Sequence, residues 1–350
     1  MRTLLAFFMF SSAVFAASDL PKNLLRYNMG ALPMTSDANG QWVSVAPESL
    51  DWNTPYAAVL GGDIGKTVDL SSTKMFIVDL GQVESIERFS LFSQSATGSL
   101  SVFSSPIFEA PDSANWSELG SLTLNAGQSS TLTSTPADAR YLKFVFSGDS
   151  KGVIGSMGAF GPLTFNDVRP ADVLQPENKQ EIMYSMNYAT PASDMTPLSS
   201  EPNQPTEALM ALFDDDPATQ LTISQPMKIT VDMGANRQLE SLHVSAGNGA
   251  PVSAQFANTL EELSAAKGVD AGNGSLTTIP EPVNTRYAVI TFNPASGNTA
   301  NINGLSMVGP VDPAALVFER LPQDDVGGTA NSAAGPIRPL APQNPRVISE

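Results

Sequence analysis

Short apolar alternations organise this chain. Phe89 and Leu91, then Leu100 and Val102, fall on one side of two successive stretches, and Leu242, Val244 and Val252 repeat the pattern later. Alternation with period two, broken by turn residues such as Asn248-Gly249 and Asn273-Gly274, predicts strands that each bury one face. The 26 Gly and 27 Pro that punctuate the apolar runs make those strands many and short, which predicts an all-β fold of antiparallel, two-layer sandwiches. Between these strands helices are minor, with PTEALMALF from Pro205 and TLEELSAA from Thr259 as candidates.

The alternation occurs in two copies. MFIVDLGQVESIERFSLFS from Met75 matches KITVDMGANRQLESLHVSA from Lys228, placing Asp79 with Asp232 and Gly81 with Gly234. PADARYLKFVFS from Pro136 matches PVNTRYAVITFN from Pro282, placing Arg140 with Arg286, and each copy closes on Gly-Pro, at Gly161-Pro162 and Gly309-Pro310. Upstream, Leu60 precedes Thr67 as Leu212 precedes Thr219, and Tyr27 is echoed by Tyr184. A repeat of this length is a whole domain. The expected organisation is one sandwich over residues 20–163, a polar linker over 164–175 and a second sandwich over 176–311. Residues 312–350 are expected to hold one short helix, capped by Asp312 and opened by Pro313, and then a disordered or extended Pro/Gly-rich tail.

Residues 1–16 carry Arg2, an apolar stretch and small residues before Ala17, the pattern of a secretory signal peptide. That apolar stretch is shorter than the roughly 20 residues a membrane span needs, and no later one is longer. The chain has no cysteine, so disulfides and thiolate metal sites are excluded, and an exported, cysteine-free chain points to a bacterial periplasm or exterior. The formal charge is −17, and removing Arg2 with the leader gives −17 − 1 = −18. Such a chain repels phosphate backbones, which excludes nucleic acid as a partner.

The order of an Ala-Leu-rich turn with acids before a threonine, then VDLG or VDMG, then an Arg-Tyr strand and a last strand ending in glycine resembles the discoidin family. That family includes coagulation-factor C domains and many bacterial carbohydrate-binding modules, and the resemblance implies two tandem jelly-roll sandwiches of galactose-binding-like fold. It also implies a position for a calcium ion beside the first loop. In the second copy Asp214 and Asp216 stand five and three residues before Thr219, while the expected last-strand glutamate falls on Gly304. The first copy has Gly62 and Ile64 at the acid positions, with only Asp63 between them, and Ser156 in the last strand. Two readings of Asp214 to Asp216 stand: a solvated turn, or one structural calcium ion confined to the second copy.

Catalysis finds little footing. The single histidine, His243, sits on the face opposite Leu242 and Val244, an outward strand position, whereas a Ser-His-Asp site needs its histidine in a cleft. Sugar recognition calls for an exposed aromatic face near amides and carboxylates. Trp42 and Trp52 are the candidates, the latter flanked by Asp51 and Asn53, and either could instead pack over a sandwich edge; Trp116 is expected to face the core, and the second copy has no tryptophan. The sequence thus predicts an exported, non-catalytic protein holding a glycan or another surface ligand. The alternative is a structural or assembly protein that binds an envelope protein and uses its tail as a tether.

Overall fold

The computed structural model describes residues 20–26, 29–45, 60–164, 172–174, 185–190, 195–246, 250–266, 268–270, 277–310, 317–320 and 337–340. The signal sequence, Trp52, Tyr27, Tyr184 and both Asn-Gly turns lie outside the described residues.

The first copy is built from β1 (Leu32–Ser36), β2 (Trp42–Ser44), β3 (Val68–Asp69), β4 (Met75–Ser93), β5 (Gly98–Ser105), β6 (Ser117–Leu124), β7 (Gln128–Phe146), β8 (Val153–Ile154) and β9 (Ser156–Phe160). Its main sheet runs β2-β1-β4-β7-β5-β6 with β9 added on β4, and β3 pairs with β8. After β10 (Asp172–Leu174), the second copy comprises β11 (Ser185–Asn187), β12 (Thr196–Glu201), α1 (Thr206–Met210), β13 (Leu221–Ile223), β14 (Met227–Ala246), β15 (Val252–Ala257), α2 (Leu260–Leu263), β16 (Gly268–Asp270), β17 (Thr277–Phe292) and β18 (Ala300–Pro310). Its sheet runs β11-β18-β14-β17-β15-β16, with β12 on β14 and β13 on β18. All of these pairings are antiparallel.

The long strands make each copy a jelly roll. Met75–Asp79 of β4 pairs with Tyr141–Val145, the register breaks, and Glu84 onward pairs with the earlier part of β7. β14 breaks against β17 at the matching place, between Asp232 and Arg237. One strand therefore serves both layers, and the alternating apolar residues meet between them. The first core includes Leu60, Phe76, Phe89, Leu100, Phe144 and Met157; the second includes Leu212, Ile229, Leu242, Val252, Phe292 and Met307. These are two tandem antiparallel jelly-roll β-sandwiches.

The expected C-terminal helix is not what forms over its second half. Val317–Arg320 is a strand, β19, which pairs with β10 on one side and β20 (Ile337–Leu340) on the other. Val317 and Phe318 favour extended backbone, and β10, inside the expected linker, supplies the ladder partner.

Candidate functional site

The residues the sequence repeats most faithfully build the corners where strands change layer. Asp79 Oδ1 accepts the Gly81 N–H (2.8 Å) and the Arg140 Nε–H (3.0 Å), and Asp232 Oδ1 accepts the Gly234 N–H (2.8 Å) and the Arg286 Nε–H (2.9 Å). Gly81 and Gly234 adopt φ of 84° and 73°, a left-handed turn that glycine enters without steric cost. The Asp-x-Gly and Arg-Tyr motifs are therefore one device, a carboxylate that pins a tight turn and is neutralised by an arginine from the neighbouring strand.

The acid cluster has a different role. Asp216 Oδ1 accepts the Ala218 N–H (2.9 Å) and its carbonyl the Thr219 N–H (3.2 Å); Asp63 does the same with Gly65 (2.9 Å) and Lys66 (3.0 Å). Gly62 and Asp215 share left-handed backbone, φ 68° and 60°. The copies thus match here at 216 − 63 = 153, one residue off the Thr67–Thr219 match of 219 − 67 = 152, and Thr219 corresponds to Lys66. The acids form a turn, but the turn is not solvated, because each loop docks on the other copy.

Arg26 grips Asp215 with two hydrogen bonds of 2.7 Å, Nε to Oδ2 and Nη2 to Oδ1. Arg88 Nη1 donates to Asp216 Oδ2 and Ser90 Oγ to Asp216 Oδ1 (2.7 Å). In the reciprocal contact Asp63 meets His243 Nδ1, on the β14 residue that matches Ser90 on β4. His243 does point away from its own core, yet it is 4% exposed, so the outward position is covered rather than solvated. Gly65 lies against its ring, and a Cβ there would sit 2.1 Å from Nδ1. Buried ion pairs such as Arg26–Asp215 are weak evidence for added stability. Together with Arg88–Asp216 and the His243–Asp63 hydrogen bond, they join the two sandwiches.

The calcium candidates are only partly assembled. Thr219 Oγ1 lies 3.2 Å from Ala211 O, 3.0 Å from Asp214 Oδ1 and 2.9 Å from Asp216 O, a cluster of four oxygens. Asp216, expected as a second carboxylate ligand, turns its carboxylate to Arg88 and Ser90 instead. Calcium takes about six to eight oxygens, so water would have to complete the shell. Among the described residues no group of three or more His, Cys, Asp or Glu is arranged to hold a metal. Burial pushes the Asp214 carboxyl up to about 7, opposed by hydrogen bonds from the Asp216 N–H and Thr219.

Trp42 lies half-buried on β2, packed against a third cluster of Met34, Ile77, Trp116 and Tyr141 on the outer face of the first sheet. Lys143 caps it, with Nζ 4.7 Å from the Phe103 ring centre and 4.8 Å from that of Trp116. Trp116 is buried as expected, though in this satellite cluster rather than between the layers.

The sequence reading missed a groove of about 490 Å³ at the edge of the second sandwich, lined by Phe256, Ala257, Asn258, Glu262, Ala265, Ala266, Val283 and Asn284. Gln255 Nε2 donates to Ala266 O (2.8 Å) and Thr285 Oγ1 to Ala257 O (2.8 Å), which fixes both walls. Phe256 stands in no obvious motif, and only the fold brings Asn284 opposite α2.

No protein-family model and no curated protein matches the sequence. Solved structures similar to the chain include a CBM32 module from a family 31 glycoside hydrolase of Clostridium perfringens, at 21% identity over 32% of this chain and 87% of that one, TM-score 0.25. A fucolectin from striped bass (Morone saxatilis) serum is 12% identical over 83% of this chain and 99% of that one, TM-score 0.27. Allantoicase is 11% identical over 82% and 93%, TM-score 0.28. The jelly-roll assignment itself rests on the strand register described above.

Proposed function

We propose that this is an exported, non-catalytic binding protein that presents two locked sandwiches to a glycan at the cell envelope or exterior. The observation that supports the non-catalytic part of the reading is the position of His243: the chain's only histidine is sealed between the copies against Asp63. The repeated acids and arginines serve the corners in the same way. A rigid tandem of sandwiches suits display of a binding surface. Export rests on the sequence of residues 1–16. Any structural calcium ion belongs to the four-oxygen cluster of the second copy, completed by water, where it would tighten the docking loop.

A glycan array probed with the mature protein tests the reading. Specific, reproducible binding to one sugar class supports it, and a blank array together with turnover of a substrate by purified protein overturns it. The assembly reading has one observation in its favour, the exposed Ile107, Phe108 and Val43 on the first copy. It predicts an envelope partner captured by cross-linking and lost on deleting residues 312–350.

A further inference from the structure

We infer that the groove of the second copy is a binding site for a neutral sugar, with Phe256 as the apolar platform and Asn258, Asn284 and Glu262 as the hydroxyl-binding groups. The inference rests on the glycan reading and assigns it a place and a chemical class. The groove's volume of about 490 Å³ lies within the range of small-molecule sites, which combine an apolar wall with a few convergent polar groups. Phe256 is half-buried and, like Val283, packs against the second core, so the ring is held in place while part of it lines the groove. Asn258, Glu262 and Asn284 are exposed, and among the described residues none of their side chains has a hydrogen-bond partner. Two amides offer donors and acceptors together and a carboxylate offers acceptors only, which is the complement of a ring of hydroxyl groups.

Charge sets the class. Among the described residues Glu262 is the only ionisable one lining the groove, so an anionic sugar meets a like charge there. The walls are fixed by the Gln255 and Thr285 hydrogen bonds, so little ordering is needed on binding. The first copy lacks these groups: register places Ser104 where Phe256 stands and Asp138 where Asn284 stands.

The test uses the full mature chain and calorimetric titration with galactose, glucose, mannose, N-acetylglucosamine and their neutral oligosaccharides, with galacturonate as the charged comparison. A neutral sugar should bind, weaken by about tenfold or more in Asn284→Ala, and keep its affinity in Asp138→Ala. Phe256→Leu, which retains an apolar group at the core rim, provides a second variant and should also weaken binding. Affinity unchanged in both Asn284→Ala and Phe256→Leu would overturn the site while leaving the glycan reading intact. Binding of galacturonate in preference to every neutral sugar would overturn the class. A protein that binds no glycan at all fails the broader reading, and this inference with it.

Discussion

Removing the corner arginine should cost the first copy more than the second, although the sequence motif is the same. Asp79 is 5% exposed and Arg140 37%, whereas Asp232 is 17% and Arg286 41%. In Arg140→Ala the buried Asp79 carboxylate keeps, among the described residues, two neutral donors, the Gly81 N–H and Ser44 Oγ (2.8 Å each). Breaking a fully buried pair costs about 3–5 kcal/mol and an exposed one about 0.2–1 kcal/mol. The half-open Arg140 pair falls between, at about 2 kcal/mol, and the Arg286 pair at about 1 kcal/mol. All three tryptophans lie in the first copy, so tryptophan emission follows that sandwich while far-ultraviolet circular dichroism follows both. With a urea slope of about 2 kcal/mol/M, Arg140→Ala should lower the fluorescence midpoint by roughly 1 M. Arg286→Ala should lower the circular-dichroism midpoint by about half as much. Equal losses, or a larger one in Arg286→Ala, would refute the argument from burial.

Two further outcomes follow from Asp214. Its carboxyl rises from 3.8 to about 7 on folding, so the folded state holds the proton more tightly; its contribution is fully present below about pH 4 and is lost as pH climbs through 7. Between those limits the native protein should lose on the order of 4 kcal/mol relative to Asp214→Asn, and parallel stability curves from pH 4 to 8 would remove the effect. In calcium calorimetry at pH 8, binding heat should vanish in Asp214→Ala and persist in Asp63→Ala, and it should weaken below pH 7 as protons compete; loss in Asp63→Ala would place the ion elsewhere.

The fold was legible because its signals are local. Phe89 and Leu91, or Leu242 and Val244, alternate within one strand, and Asp79, Gly81 and Arg140 recur as Asp232, Gly234 and Arg286. His243 shows where such signals stop: alternation turned it away from its own core, but no pattern within one copy reveals that the other copy covers it. The one-residue offset in the acid loop has the same origin. Threonine identity suggested one match, while the turn hydrogen bonds at Asp63 and Asp216 impose another. At the N-terminal edge the true equivalents are Asn23 and Asn187, whose Oδ1 atoms accept the N–H groups of Leu25 and Ala159, and of Ala189 and Met307. A single asparagine in each copy leaves no trace in composition. The groove is assembled from residues far apart in sequence, Phe256 and Asn284, and composition turned attention toward tryptophan and away from the second copy.

The placement of the ligand can be tested by one titration. When a sugar that gives calorimetric heat is added, tryptophan emission should stay constant through saturation, because Trp42, Trp52 and Trp116 all belong to the first copy and the proposed site is in the second. An emission change that saturates with the same Kd as the heat would put the sugar beside those tryptophans and contradict the account.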